Sequence, residues 1–265
     1  MRLLWFSVKR SDLADVFKFL IVVGFLVWLT AQGSEKLGYN WQWYRVPAYL
    51  YSLDSGSFVA GPLLKGLSVT LKITVISLFL SLSFGLITAL FRLSHSLVAK
   101  ALARFYVELI RNTPLLTQIF FLYFVLAPVL DLGRFTAAIL ALSLFEGAYA
   151  SEIFRAGIAS IHKGQWEAAY SLGLSSFQTY RRVILPQAVR RILPPLTGQA
   201  VSLVKDSALV STVAIYELTK QGEIIISETF LTFEVWFTIA AIYLSVTLVL
   251  SLAAGFMEKR MKMAY

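Results

Sequence analysis

Three ionisable side chains stand where the chain is otherwise apolar: Glu146 in residues 135–149, and Lys205 with Asp206 in ILPPLTGQAVSLVKDSALVSTVAIYEL. An ion surrounded by hydrocarbon is costly unless it faces a cavity or a partner, so each marks a candidate position on a substrate pathway. Carboxylates at 146 and 206 would attract an ammonium or a cationic side chain, whereas Lys205 suits a carboxylate. Adjacent residues on a helix do not face one another, which gives Lys205 and Asp206 different partners. For Asp206 the alternative is a buried ion pair with a neighbouring helix.

Composition closes off most other chemistry. The 265 residues include no cysteine and two histidines, His95 and His162, so disulfides and thiolate metal sites are excluded and no H-E-x-x-H pair occurs. No G-x-x-x-x-G-K-[ST] phosphate loop is present, and no nucleophile stands with a matching base. An integral membrane enzyme is left without visible machinery, and neither metal nor cofactor is expected. Hydrophobic residues make up 58% of the chain and charged residues 15%, with a mean hydropathy of +0.72, the balance of a polytopic membrane protein. The net charge of +9 arises from basic clusters beside apolar runs, where they orient helices rather than hold nucleic acid.

Arg2, Lys9 and Arg10 precede a first apolar run, residues 19–30. A helix beginning near Leu13, with Asp15 and Lys18 at the interface, would make this a retained span; a cleaved signal peptide is the alternative. Residues 32–65 carry Trp41, Trp43, Tyr44, Tyr49 and Tyr51 among turn formers and read as an outer interfacial connection. Residues 66–91 form a full span in which Ser68, Ser77, Ser81 and Gly85 permit close approach of a neighbour, with Lys72 near its outer end. Arg92, His95, Lys100 and Arg104 make a short basic loop; Arg104, Glu108 and Arg111 then share a helical face and can pair, until Pro114 kinks the helix. Residues 131–134 are an outer turn, and Glu152 and Arg155 pair locally. Pro194 and Pro195 open the span that holds Lys205 and Asp206. Glu217, Glu223 and Glu228 make the next connection acidic before a last span at 233–256. The expectation is an all-α polytopic membrane protein of about six transmembrane helices with both termini cytoplasmic. It divides into 1–65 (N-terminal segment, first span and external connection), 66–256 (membrane core) and 257–265 (tail).

Residues 165–187, QWEAAYSLGLSSFQTYRRVILPQ, are a polar and basic island between apolar segments. Glu167, Ala168 and Ala169 open a short helix with an acidic side chain in its first turn. Gly173 accepts the left-handed conformation that ends a helix, Ser175 and Gln178 have capping-box spacing, and Pro186 interrupts the helical pattern. A bent helical hairpin is expected.

The spacing of Glu167, Ala168, Ala169, Gly173, Ile184, Leu185 and Pro186 resembles the cytoplasmic loop of permease subunits of ABC-type importers. Three further stretches resemble the polar amino-acid branch of that family. Tyr106 to Leu116 is similar to Y-V-E-L-x-R-G-T-P-L-L with Asn112 in place of glycine, and FEGAYASEIFRAGI from Phe145 and V-K-D-S-A-L-V-S follow. The resemblance runs from about residue 66 to 254 and implies a type I importer permease core whose loop, about 155–190, couples to a partner ATPase. It also implies two cytoplasmic ATP-binding subunits, a second permease chain (identical or sister), an external solute-binding protein and a small polar amino acid such as glutamate, glutamine, histidine or arginine. The setting would be a bacterial cytoplasmic (inner) membrane, with ATP hydrolysis on the partner, so the chain itself is not an enzyme. The alternatives are an ABC permease for another small polar solute and a stand-alone secondary transporter. The sequence shows no inverted pair of halves to favour the latter.

Overall fold

The computed structural model describes residues 10–36, 38–54 and 57–262. Its contacts separate into two units that divide between Trp43 and Tyr44. In the first, α1 (Arg10–Lys36) is one helix of 27 residues, about 40 Å long at 1.5 Å per residue. Asp15 and Lys18 pair along it at 3.1 Å, and Phe17, Phe19, Leu20 and Ile21 are exposed. Arg2 and Lys9 lie outside the described residues.

The second unit begins within a 3-10 turn (Trp43–Arg45). α2 (Val46–Leu50) leads into an antiparallel hairpin of β1 (Tyr51–Asp54) and β2 (Ser57–Ala60), in which Tyr51 faces Ala60 and Asp54 faces Ser57. β1, YSLD, alternates apolar and polar residues, but over only four positions and with Leu53 and Phe58 both exposed, which is too short a pattern to set a strand apart in the sequence. Then come α3 (Pro62–Leu93), α4 (Leu97–Arg111), α5 (Leu115–Phe120), a wide π turn (Phe121–Leu126) and α6 (Ala127–Val129). α7 (Arg134–Ala159), α8 (Lys163–Ser171), α9 (Ser176–Thr179), a second π turn (Tyr180–Ile184) and α10 (Leu185–Asp206) follow. A 3-10 segment (Ser207–Val213), α11 (Leu218–Thr229) and α12 (Thr232–Lys262) complete the described chain.

Among the described residues α3, α7 and α12 are long and apolar enough to cross a membrane, and α4 with residues 115–129 supplies a fourth crossing if that bent pair is one span. α1 and α10, each longer than 20 residues, bring the long helices to a number consistent with six.

The core is built on α3 against α7. One stripe of α3, made of Thr70, Thr74, Ser77, Ser81 and Gly85, is buried, and α7 answers with Ala138, Ala141, Ala148 and Ala150. At Gly85 the backbones approach so closely that an added Cβ would stand 2.7 Å from the Ala150 Cβ. Ser68 is not part of this stripe; it is exposed and its hydroxyl donates to the Lys65 carbonyl. Ile73, Ile119, Leu142, Leu203 and Val210 join α3, α5, α7 and α10 in one apolar cluster. Leu63, Leu218, Ile225, Leu231 and Val235 form another around α11 and α12.

Several local expectations give way to tertiary context. Lys100 and Arg104 stand on α4 rather than in a loop: the break is only residues 94–96, and Ser96 caps the new helix by accepting from Ala99 N. Arg104, Glu108 and Arg111 do not pair with one another among the described residues. Glu108 accepts from the Asn112 amide at 3.0 Å, and Arg111 turns to Glu152 at 3.5 Å, a carboxylate already held beside other guanidinium groups. Pro114 does break the helix, and α4 stands at 108° to the helix after it. Pro194 and Pro195 open nothing; they sit inside α10, where the Thr197 hydroxyl takes up the Pro194 carbonyl at 2.7 Å. Glu217, assigned to an acidic connection, is fully buried. It caps α11 through the Lys220 N–H at 2.8 Å and accepts from Thr70 at 3.3 Å and Tyr243 at 2.9 Å, tying α3, α11 and α12 together.

Candidate functional site

α7 and α10 carry both parts of the site. Midway along α7, Glu146 is 3% exposed, and its carboxylate accepts from the Gln199 side-chain amide of α10 at 2.8 Å. The same carboxyl lies within hydrogen-bonding reach of Asp206, the last residue of α10. Of the three ionic candidates the structure therefore brings Glu146 and Asp206 together and leaves Lys205 beside them, exposed. The group facing Asp206 is a carboxyl from the next helix, not the cation that a buried ion pair requires. Regular helix ends at Asp206, and the chain continues in 3-10 geometry to Ala214, which has φ +56°. Gln199 carries no charge to mark it in the sequence, although it lies seven residues before Asp206, two turns along one helical face.

The polar island is the hairpin between these two helices. His162 caps α8 by accepting from Gly164 N at 3.0 Å, so the helix starts four residues earlier than expected and Glu167 sits in its body, not in its first turn. Gly173 has φ +73°. Its N–H bonds the Tyr170 carbonyl at 2.9 Å and Leu174 N–H bonds the Ala169 carbonyl at 3.2 Å, the two bonds of a Schellman ending. Ser175 and Gln178 then form the reciprocal capping box, at 3.3 and 3.0 Å.

Pro186 does not interrupt the helix that follows. The second π turn widens the backbone just before it, with Leu185 N–H reaching the Tyr180 carbonyl, so that the N–H missing at Pro186 falls at a turn already released from i→i−4 pairing. Within the hairpin Ala169 and Ile184 are buried, while Glu167, Ala168, Gly173, Leu185 and Pro186 are exposed. Trp166 and Tyr180 meet edge to face at 4.9 Å, and Gln187 donates to Gln165 at 3.0 Å, closing the base. Leu172 and Phe177 stand out at 80% and 72% exposed, an apolar tip the sequence motif did not single out.

The base is anchored to the membrane helices. Ile158, Ile161, Ile184, Ala188 and Ile192 pack together, and Arg191 of α10 donates to the carbonyl and hydroxyl of Ser160. At Gly157 an added Cβ would collide with Ile192. Five residues before Gly157, Glu152 gathers Arg92 of α3 at 2.6 Å, Arg155 at 2.9 Å and Arg111 of α4 at 3.5 Å. The expected pairing of Glu152 with Arg155 is thus one arm of a hub joining three helices.

Residues 81–263 match the model of the family described as binding-protein-dependent transport system inner membrane component. The chain belongs to this family. The permease is 41% identical over 203 residues to the glutamine transport system permease protein GlnP of Escherichia coli (strain K12), covering 76% of the chain and 93% of that relative. Among solved structures it is similar to an amino acid ABC transporter crystallised with histidines, with a TM-score of 0.71 and 39% identity over 75% of the chain and 94% of that one. The MetNI methionine ABC transporter, at 19% identity and a TM-score of 0.66 over 76% of the chain and 96% of its own, shares the fold. As a family member the permease is a multi-pass inner-membrane transport component rather than an enzyme.

Proposed function

We propose that this chain is the membrane-spanning subunit of an ATP-driven importer of polar amino acids, with the hairpin at 163–187 as its coupling element and Glu146, Asp206 and Lys205 on the substrate pathway. The observation that carries the reading is the continuity of the two parts. α7 runs directly into the hairpin and α10 runs directly out of it, and the same two helices hold Glu146 and Asp206 against each other. A push on the exposed tip at Leu172 and Phe177 is therefore delivered to both walls of the carboxyl pair. Two neighbouring carboxylates repel unless a proton or a cation lies between them, and the ammonium of an amino acid is such a cation. Lys205, adjacent and exposed, suits the substrate carboxylate.

On this reading two cytoplasmic ATP-binding subunits receive the hairpins of two permease chains, and an external solute-binding protein delivers substrate. Both termini lie in the cytoplasm. Glutamine heads the substrates to test, because the named relative is a glutamine permease; histidine, glutamate and arginine follow. The test is uptake of each labelled amino acid by source cells lacking the chain and by the same cells with it restored. Loss and recovery of one substrate group supports the assignment. Unchanged uptake of all four overturns the amino-acid reading.

A further inference from the structure

The ends of α3 and α7, together with α4, enclose a cavity of about 290 Å³ lined by Arg92, Lys100, Arg104 and Arg155. Every lining residue is cationic. The only carboxylate that any of them pairs with among the described residues is Glu152, which is shared between Arg92 and Arg155 and also takes Arg111. Glu108, one turn along α4 from Arg104, is engaged with Asn112. Lys100 and Arg104 have no ion pair among the described residues, although they stand four apart on one face of α4, where like charges repel. An uncompensated cluster of this kind is stabilised by an anion.

We propose that the cavity lined by Arg92, Lys100, Arg104 and Arg155 is a binding site for a phosphate group, supplied by the headgroup of an anionic phospholipid. Guanidinium forks match phosphate oxygens two at a time, and with the Glu152 carboxylate already shared among three guanidinium groups, a phosphate supplies the further acceptors that Lys100 and Arg104 lack. The volume also leaves room for the glycerol part of a headgroup. α4 points to the lipid as the source. Val98, Leu102, Phe105 and Leu109 are all exposed and fall at spacings of four, three and four, on one apolar face. Ala103 and Val107 bury a second face in the protein, and Lys100 and Arg104 form a third. With its axis at 108° to residues 115–129, α4 has the build of the arm of that bent pair that lies in the membrane interface, with apolar residues toward acyl chains and cations among headgroups, while 115–129 supplies the arm that enters the membrane. The site lies at the end of α7 from which the hairpin continues, so a bound headgroup braces the junction that carries the hairpin.

The test is native mass spectrometry of the purified full-length chain with added phosphatidylglycerol or phosphatidylcholine of equal chain length, beside phosphorus NMR titration with inorganic phosphate. The wild-type chain should retain phosphatidylglycerol over phosphatidylcholine. In Lys100→Gln/Arg104→Gln, retention should fall about 25-fold, taking about fivefold per cation. These residues form no ion pairs among the described residues, so the melting temperature should hold. Neutralising Lys65 and Lys72, near the other end of α3, should leave lipid retention unchanged. Phosphate binding that is lost in the Lys100/Arg104 variant, without any lipid preference, keeps the anion site and assigns it to free phosphate. Equal loss in both double variants, or neither ligand held above the level of the Lys100/Arg104 variant, overturns the proposal.

Discussion

Replacing Gly173 by alanine isolates the backbone contribution of the hairpin. A Cβ at this position meets nothing within 4 Å, so the substitution brings no clash, and the whole effect comes from φ +73°. Holding a residue other than glycine in left-handed geometry costs about 1–2 kcal/mol. In the unbound permease the turn relaxes to relieve that strain, losing the two Schellman bonds made by Gly173 and Leu174. Docking on the ATPase has to restore the turn, so the cost appears as association weakened by about 5- to 30-fold. Asparagine tolerates this conformation, so Gly173→Asn should recover most of the loss. The assay is titration of the purified ATPase subunit onto detergent-solubilised permease, with thermal melting as a control for the membrane core. Wild-type affinity in the alanine variant, or equal losses for alanine and asparagine, would refute the reasoning.

Glu146→Gln keeps the shape and the contact with Gln199 but removes the ionisable carboxyl from the pair with Asp206; with Asp206→Asn it should slow uptake by about tenfold or more while leaving the amount of assembled complex unchanged, as read by transport and co-purification. Thr70→Val removes the hydroxyl that accepts from Leu218 N at 3.1 Å and donates to Glu217, leaving the buried Leu218 N–H unpaired while Glu217 keeps Lys220 and Tyr243. It should cost about 1–3 kcal/mol of stability, measured by thermal or denaturant unfolding in detergent. Gly157→Val drives a side chain into Ile192 where α7 meets α10, and should cost about 1–3 kcal/mol; a compensating Ile192→Ala should restore the melting temperature, and no recovery would count against the close approach.

What was legible in the sequence was whatever local chemistry decides. Gly173 and the Ser175–Gln178 pair are set by the conformational limits of a few residues, and the structure has both. Glu146 and Asp206 drew notice because ions among apolar residues need a partner, but the sequence could not say that each would be the other's neighbour across two helices. Gln199 stayed hidden because an uncharged amide in a long helix raises no alarm. Where tertiary contacts compete, local rules misled: Arg111 prefers Glu152 to the nearer Glu108, and Pro186 is absorbed by a π turn that no residue pattern announces. Glu217 read as one more acidic residue of a connection, yet it is buried with three elements hydrogen-bonded to it. The small hairpin at β1 and β2 is hard to read because its alternation covers only the four residues of YSLD and β2, SFVA, has none.

The central claim is that this permease moves its substrate by movements imposed from an ATPase. Reconstitution into proteoliposomes with its ATPase subunits, ATP inside and substrate-loaded binding protein outside, tests it most directly. The account predicts accumulation of labelled glutamine or another polar amino acid that requires both ATP and the binding protein and is lost when the hairpin is disabled. Accumulation driven by an ion gradient without ATP would contradict it.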